Sequence, residues 1–268
     1  MVGATATDRG NFHQKIFVVS PRIFYEIFFR NNIFYTFVVK KYLIYCFYDI
    51  IIVMQYHEHK KYFEIAYKNG ADIWTHLPME ARGVKLTVNL KIGSFILDVG
   101  SGRGLFAKQL AEEGFRVIGI DFEKNIIQKT NSEIKNWGLE GKLKFIEANV
   151  LDIPFADASF DGICDFGLLE NLYAEDWEQY ASEINRVLKP GGFYLNTSLS
   201  RETQHFFEFY PKSSESGDFQ KYGVHYHFFE KEEISEIFEG KLKVISQENK
   251  HISNKPINTI LLETLFQK

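Results

Sequence analysis

A glycine-rich segment follows a short apolar run in the sequence FILDVGSGRG, residues 95–104. Gly100, Gly102 and Gly104 suit a tight turn that lets a ligand approach backbone N–H groups at the positive end of a helix. Asp121 lies 21 residues after Gly100, where a carboxylate at the end of the next strand can accept hydrogen bonds from both hydroxyls of a ribose. This spacing predicts a bound nucleoside.

The residues around the glycines distinguish two kinds of nucleoside ligand. The dinucleotide fingerprint G-x-G-x-x-G needs its third glycine at Leu105, whereas Gly104 comes one residue early. Asp98 lies two residues before the first glycine, and its carboxylate would repel a pyrophosphate but suit an ammonium or sulfonium group. The pattern therefore favours a cationic ligand and disfavours an NAD-dependent oxidoreductase, which stays the alternative enzyme class.

The elements that position these residues alternate between short apolar runs and amphipathic runs, which is typical of a parallel sheet covered by helices. Strands are predicted at Phe95–Val99, Arg116–Ile120, Leu143–Glu147, Phe160–Cys164, Phe193–Ser198, Leu242–Ser246 and Ile257–Phe266, the last two pairing as a hairpin. Helices are predicted at Leu105–Glu113, Lys124–Trp137, Ala174–Leu188 and Glu232–Phe238. The fold class is α/β.

Four motifs in order, LDVGSGRG, VIGIDFEKNII, EANVLDIPFADASFD and LKPGG, give the chain a family resemblance. It resembles the class I S-adenosylmethionine-dependent methyltransferases, especially their small-molecule branch, over roughly residues 54–268. The resemblance implies a Rossmann-like fold with a mostly parallel seven-stranded sheet, helices on both faces and an antiparallel C-terminal strand. It also implies methyl transfer from S-adenosylmethionine to a small metabolite, with release of S-adenosylhomocysteine.

The resemblance further implies a set of cofactor contacts. Asp98 would lie near the amino group, and Gly100, Ser101, Gly102 and Gly104 would surround the methionine part. Asp121 would hold the ribose, and Phe122 would flank the adenine. The remaining contacts are Asn149 and Val150 at the adenine amino group and ring, and Asp165 and Phe166 at the end of the fourth strand, facing the transferable methyl group. Asn149 stands where the family commonly has Asp, and can still accept a hydrogen bond.

The acceptor side departs from the family, which often shows a His pair where this chain reads LLENL at residues 168–172. Methyl transfer from a sulfonium requires alignment and exclusion of water more than a catalytic triad. Asp165 and Glu170 are the candidate catalytic residues, as proton acceptors, and His225 or His227 are further candidates. The alternatives are that Asp165 caps a loop and that Glu170 is a solvated charge. Because of this departure, the alternative of a domain that binds the cofactor without catalysing methyl transfer stays open.

Other aromatic and imidazole side chains could line the site. His225 and His227 would lie on one side of an extended segment, but no third ligand with suitable spacing follows, so no metal is predicted. We expect them to form a pocket wall or ordinary surface. Trp74 either closes the cofactor pocket or packs in the core.

Composition separates residues 1–53, with six Lys/Arg against three Asp/Glu, from residues 54–268. The first segment is predicted as an aromatic-rich extension without a catalytic role, with a membrane-surface anchor as the alternative. The second contains a helical cap at 54–91 and a substrate loop at 200–230. The net charge of −4 disfavours nucleic acid as a partner, and two distant cysteines, Cys46 and Cys164, fit the cytoplasm. The oligomeric state stays open.

Overall fold

The computed structural model describes residues 56–72, 74, 84–254 and 257–268, which fall in the compact unit Gln55–Lys268. Its helices are α1 (His57–Asn69), α2 (Val84–Thr87), α3 (Leu105–Glu112), α4 (Lys124–Glu133), α5 (Ala174–Val187) and α6 (Lys231–Ile237). Its strands are β1 (Phe95–Val99), β2 (Arg116–Asp121), β3 (Leu143–Glu147), β4 (Phe160–Phe166), β5 (Leu188–Leu199), β6 (Asp218–Lys221), β7 (Val224–His227), β8 (Lys243–Asn254) and β9 (Ile257–Gln267). Two 3₁₀ turns lie at Leu169–Asn171 and Pro211–Ser213.

Seven strands form one sheet in the order β3-β2-β1-β4-β5-β9-β8. Strands β1 to β5 are parallel to one another, and β9 is antiparallel to both β5 and β8. The chain moves along the sheet in one direction from β1 to β3 and in the other from β4 to β5, so right-handed crossovers place α3 and α4 on one face and α5 on the other. The predicted Rossmann-like α/β class is confirmed.

This strand order creates the crevice in which open α/β sheets bind their ligands. The strand order reverses between β1 and β4, and the loops that follow their carboxyl ends diverge there. Residues after Val99 and Phe166 therefore face each other across the same edge of the sheet. The predicted glycine turn lies in the loop after β1. The segment predicted to face the methyl acceptor, residues 168–172, lies in the loop after β4.

The core beneath this edge is apolar because α3 and α4 each present one buried stripe to the sheet. Phe106 and Leu110 of α3, and Ile126 and Ile127 of α4, pack in one cluster with Phe145 of β3. Burying a side chain of this size stabilises the fold by about 1.5–3 kcal/mol. The first turns of both helices are thus fixed against the strands that carry the candidate site.

Several element boundaries differ from the prediction, most of all in α4, β5 and β8, and β5 begins at Leu188 rather than Phe193. Helix α4 ends at Glu133 rather than Trp137, because the backbone N–H of Ile134 bonds to Asn131 in a tighter turn and Gly138 then adopts a φ of 67°. Strand β8 continues to Asn254, well beyond Ser246, since every residue from Ser246 onward pairs with β9. Backbone pairing, which does not depend on apolar side chains, extends this polar edge strand.

The segment 200–230, predicted as a substrate loop, contains regular secondary structure. It contains the hairpin of β6 and β7, joined at Tyr222 and Gly223. Buried aromatic side chains fix the segment to the end of the main sheet, and its role as a substrate loop stays a prediction. These side chains are Phe206, Phe209, Tyr226 and Phe228, which pack on Leu199 and Leu261.

No helix in the described part of the chain has both the length and the apolar character that crossing a bilayer requires. The predicted extension, residues 1–53, lies outside the described residues, and its surface-anchor alternative stays a prediction.

Candidate active site

The glycine turn is held tightly between β2 and the start of α3. Gly104 precedes the first residue of α3 with a φ of 69°, and a Cβ atom there would lie 2.3 Å from the Phe145 ring. The backbone N–H of Ser101 donates to the carbonyl of Ile120 at 2.9 Å. A side chain at position 104 would be strained and would clash, which explains the glycine. The turn is a rigid backbone cradle at a helix N-terminus.

Asp98 points a buried, partly unsatisfied carboxylate at this cradle. The residue is 2% exposed, Oδ1 accepts a hydrogen bond from the Cys164 thiol at 3.5 Å, and Oδ2 has no partner among the described residues. Burial raises the pKa of Asp98 to about 7. An orphaned carboxylate oxygen of this kind needs a donor or a cation. The ammonium group of a methionine moiety fits that requirement.

Asp121, the last residue of β2, closes the other side of the cradle. Its Oδ2 accepts a hydrogen bond from the N–H of Gly102 at 2.9 Å, and its Oδ1 accepts one from the N–H of Glu123, also at 2.9 Å. Burial raises the pKa of Asp121 to about 6. A carboxylate has about four lone-pair positions, so two remain for hydroxyl donors. The geometry suits the predicted ribose contact.

The predicted adenine contacts lie at the same edge of the sheet. The N–H of Ala148 donates to the carbonyl of Asp121 at 3.0 Å, which places Asn149 and Val150 beside β2. Val150 is buried, whereas Asn149 is exposed and its Oδ1 accepts a bond from Leu151 within its own turn. Phe122 packs edge-on against Phe63 of α1, with ring centroids 6.3 Å apart. The structure brings these residues together around one open edge.

Asp165, near the end of β4, is buried and heavily hydrogen-bonded. Its Oδ1 accepts from the N–H of Leu168, and its Oδ2 accepts from the N–H of Leu169 and from the Tyr180 hydroxyl at 2.7 Å. Burial raises the pKa of Asp165 to about 6. Its contacts favour the loop-capping alternative, because they fix the turn that follows β4.

We expect Asp165→Ala to lower the free energy of unfolding by about 2–4 kcal/mol, because several buried donors would lose their acceptor. Urea unfolding at pH 8 measures the change. Tyr180→Phe is the matched control, since it removes one of these bonds and should cost about 1 kcal/mol. Equal stability of Asp165→Ala and the wild type would contradict the anchoring role.

Glu170 lies in the 3₁₀ turn after β4 and is fully buried, which excludes the alternative of a solvated charge. Its Oε2 accepts the N–H of Leu199 at 3.1 Å, and its Oε1 has no partner within the described ranges. Burial raises the pKa of Glu170 well above its usual range, and the nearby Asp165 raises it further. Of the two candidate proton acceptors, Glu170 is the one with a free oxygen.

Aromatic side chains surround the acceptor side of the crevice. Trp74 packs edge-on against Phe166, with centroids 5.5 Å apart, and a Cβ atom at Gly167 would lie 2.7 Å from the indole. Trp74 therefore has a packing role directly at the carboxyl end of β4. One apolar cluster contains Tyr62, Phe63, Trp74, Phe166, Phe206, Phe209, Phe219, Tyr226 and Phe228.

The two histidines of β7 are buried side by side. His227 Nδ1 lies 2.7 Å from Asp218 Oδ1, and His225 Nε2 lies 3.6 Å from the same oxygen. His225 also stacks on Tyr173, with centroids 4.6 Å apart. These contacts attach β7 to its surroundings and support the expectation that the histidines form a wall. Within the described residues, no group of three His, Cys, Asp or Glu side chains could hold a metal.

Helix α1 contributes residues that the sequence analysis missed. His59 Nε2 accepts the N–H of His225 at 2.9 Å, and burial lowers the pKa of His59 to about 4, so it remains a neutral acceptor. Arg103, in the glycine turn, bonds to Asp72 and to the carbonyl of Tyr67. These contacts join distant parts of the chain and leave no local sequence signal.

Comparisons with known proteins agree with this geometry. Residues 97–196 match the family model described as a methyltransferase domain. These residues belong to the class I S-adenosylmethionine-dependent methyltransferases. The methyltransferase domain thus includes most of β1, the glycine turn, Asp121 and most of β5, and it contains the candidate cofactor residues. Membership favours S-adenosylmethionine over NAD as the ligand of the cradle.

Two relatives and one solved structure are similar to the methyltransferase domain. A sterol 24-C-methyltransferase of Pneumocystis carinii is 36% identical over 42% of this chain and 30% of its own length. An O-methyltransferase of Aspergillus sclerotiorum is 34% identical over 41% of each chain. The chain therefore spans about a third to two fifths of these relatives. A 1,6-didemethyltoxoflavin-N1-methyltransferase of Burkholderia thailandensis shares the fold, with a TM-score of 0.64 at 20% identity, covering 79% of this chain and 88% of that one.

We expect cofactor affinity to fall as the pH is lowered through 7. A cationic ligand pairs with ionised Asp98, whose raised pKa of about 7 means that the carboxyl must first lose its proton at lower pH. The affinity for S-adenosylhomocysteine should drop by up to about tenfold per pH unit between 7 and 5.5. Titration calorimetry measures this slope, and Asp98→Asn should weaken binding and flatten the slope above pH 6.5, where Asp121 with its pKa of about 6 is mostly ionised. A constant affinity across this range in the wild type would contradict the contact.

Proposed function

We propose that residues 54–268 transfer a methyl group from S-adenosylmethionine to a small, largely apolar acceptor, whose attacking atom is O, N, S or C. The main support for this proposal is the set of residues that the fold brings together where the strand order reverses, between β1 and β4. Asp98, the glycine cradle and Asp121 lie at the carboxyl ends of β1 and β2. Glu170 follows β4, and the aromatic cluster combines side chains of α1, Trp74, the end of β4 and the segment after β5. A donor site and an acceptor site thus adjoin each other.

The cradle residues bind and orient the methyl donor. Asp98 pairs with its ammonium group, Asp121 accepts from its ribose hydroxyls, and Phe122, Asn149 and Val150 surround its adenine. When bound, the donor supplies a sulfonium-activated methyl group, whose C–S electron pair stays on sulfur while the acceptor's electron pair forms the new bond. The aromatic cluster excludes water from the acceptor, which raises the strength of every electrostatic contact inside.

Glu170 takes the proton that the acceptor loses. Its raised pKa makes the ionised carboxylate a stronger base than an exposed glutamate. The hydrogen bond from Leu199 fixes one oxygen, so the other is presented in a defined direction. Asp165 positions this turn, because it caps the backbone of Leu168 and Leu169. The proposal thus separates a proton acceptor from a residue that holds it in place.

The proposed chemical class of the methyl acceptor is based on the side chains near Glu170 and on the similar proteins. Leu199, which donates to Glu170, belongs to the largely aromatic cluster, and the similar proteins are described as a sterol 24-C-methyltransferase and an O-methyltransferase. A small acceptor with an extended apolar surface and one nucleophilic atom suits such a site. Cys164 is buried and free, in keeping with the proposed cytoplasmic location. Residues 1–53 have no assigned role in the reaction.

The test incubates the full-length chain with S-adenosylmethionine and a panel of apolar alcohols, phenols, thiols, amines and sterols, and measures released S-adenosylhomocysteine. We expect acceptor-dependent release for at least one class. Binding of the cofactor without release across the whole panel would instead favour a non-catalytic binding domain.

A further inference from the structure

Tyr67, near the end of α1, lies against the glycine turn. A Cβ atom at Gly102 would be 2.8 Å from the Tyr67 hydroxyl, so this oxygen occupies the space directly above the turn. No residue other than glycine at position 102 would leave the hydroxyl there. The side chain is partly buried, and its ring packs against Phe63, with centroids 5.9 Å apart.

The position of Tyr67 is fixed through its own backbone. Arg103, the residue between two of the turn glycines, donates to the carbonyl of Tyr67. The same guanidinium bonds to Asp72 at 2.8 Å and lies 5.7 Å from the centroid of the Tyr67 ring. The carbonyl of Tyr67 and the side chain of Asp72 are therefore both bonded to Arg103 of the turn. The Tyr67 hydroxyl needs little rearrangement to contact a ligand bound at the turn.

The surroundings of the Tyr67 hydroxyl keep it protonated, so that it can donate a hydrogen bond. Burial raises the pKa of Tyr67 well above its usual value, and the nearby Asp121 and Asp72 raise it further. The phenol therefore keeps its proton. Asp98 is positioned to take the ammonium of a methionine moiety, but the carboxylate of the same moiety requires donors, and a carboxylate acceptor strengthens a hydroxyl hydrogen bond.

We propose that the Tyr67 hydroxyl donates a hydrogen bond to the amino-acid carboxylate of the cofactor, which makes α1 part of the cofactor site. This inference rests on the proposed function. Arg103, which is paired with Asp72, places a cation beside the same turn. Residues from two separate segments, the turn and α1, would then bind the two charged ends of the methionine part.

The experiment compares two ligands by titration calorimetry with the full-length protein. S-adenosylhomocysteine has the amino-acid part, whereas 5′-methylthioadenosine has the same nucleoside and lacks it. We expect Tyr67→Phe to weaken binding of the first ligand by about 10- to 100-fold and to change binding of the second by less than twofold. The phenylalanine keeps the ring packing, and thermal unfolding verifies the fold.

Tyr210→Phe, at a tyrosine that is 57% exposed, is the matched control and should bind both ligands as the wild type does. Equal weakening of both ligands would place the hydroxyl on the nucleoside, and no weakening of either would remove it from the site, so each of these results overturns the inference. Wild-type binding of S-adenosylhomocysteine is scored separately, which distinguishes failure of this inference from failure of the proposed function.

Discussion

Asp121→Ala should weaken binding of S-adenosylmethionine and S-adenosylhomocysteine by about 100-fold or more. The variant would lose the two charge-assisted hydrogen bonds that we propose to the ribose, each contributing about 1.5–3 kcal/mol. It also loses the acceptor for the N–H of Gly102 at 2.9 Å, so the turn becomes less well organised before binding. Titration calorimetry of the folded variant measures the change.

Two controls sharpen this result. Asp121→Asn keeps one oxygen acceptor and should bind with an affinity between that of the wild type and that of the alanine variant. Glu140→Ala removes an exposed carboxylate in the loop before β3 and should bind normally. Wild-type affinity in a correctly folded Asp121→Ala variant would show that this carboxylate does not hold the cofactor.

Glu170→Gln should reduce turnover by about 100-fold while cofactor affinity stays within about twofold. The amide still accepts the N–H of Leu199, so the 3₁₀ turn keeps its shape, but it cannot take a proton. Rates of S-adenosylhomocysteine release, with an acceptor from the panel, measure the loss. The wild-type rate should rise with pH as Glu170 ionises, because its pKa is raised by burial.

The pH dependence separates a base from a structural residue. If Glu170 only supports the fold, Glu170→Gln keeps its pH profile and changes its unfolding temperature. If it accepts the proton, the rising limb of the profile disappears while stability at neutral pH changes little. Full turnover in Glu170→Gln would contradict the proposed role, and the proton would then have to leave directly to solvent.

Local patterns explain why the places of the glycine turn, Asp98 and Asp121 in the fold could be predicted from sequence. The glycine turn, Asp98 and Asp121 lie within one β-turn-α-β unit, so their spacing along the chain determines their spacing in the fold. The α/β class followed from the regular alternation of apolar and amphipathic runs, whereas the seven strands and the antiparallel C-terminal strand followed from the family resemblance. The predictions for the turn, Asp98 and Asp121 depend on backbone geometry that is determined by residues close together in the sequence.

Long-range contacts explain what the sequence could not show. The hydrogen bond from His225 to His59 joins residues 166 positions apart, and the contact of Tyr67 with Gly102 also crosses elements. The hairpin of β6 and β7 carries polar and aromatic residues without clean alternation, because the buried cluster that covers it comes from several segments. Burial of Glu170 likewise depends on neighbours far away in the chain, which is why exposure could not be judged from residues 168–172.

Titration of the full-length protein with S-adenosylhomocysteine, and separately with NAD, tests the central claim most directly. The account predicts saturable micromolar binding of S-adenosylhomocysteine and no measurable binding of NAD. Binding of NAD, or no binding of S-adenosylhomocysteine to a protein shown to be folded, would contradict the assignment of the cradle to this cofactor.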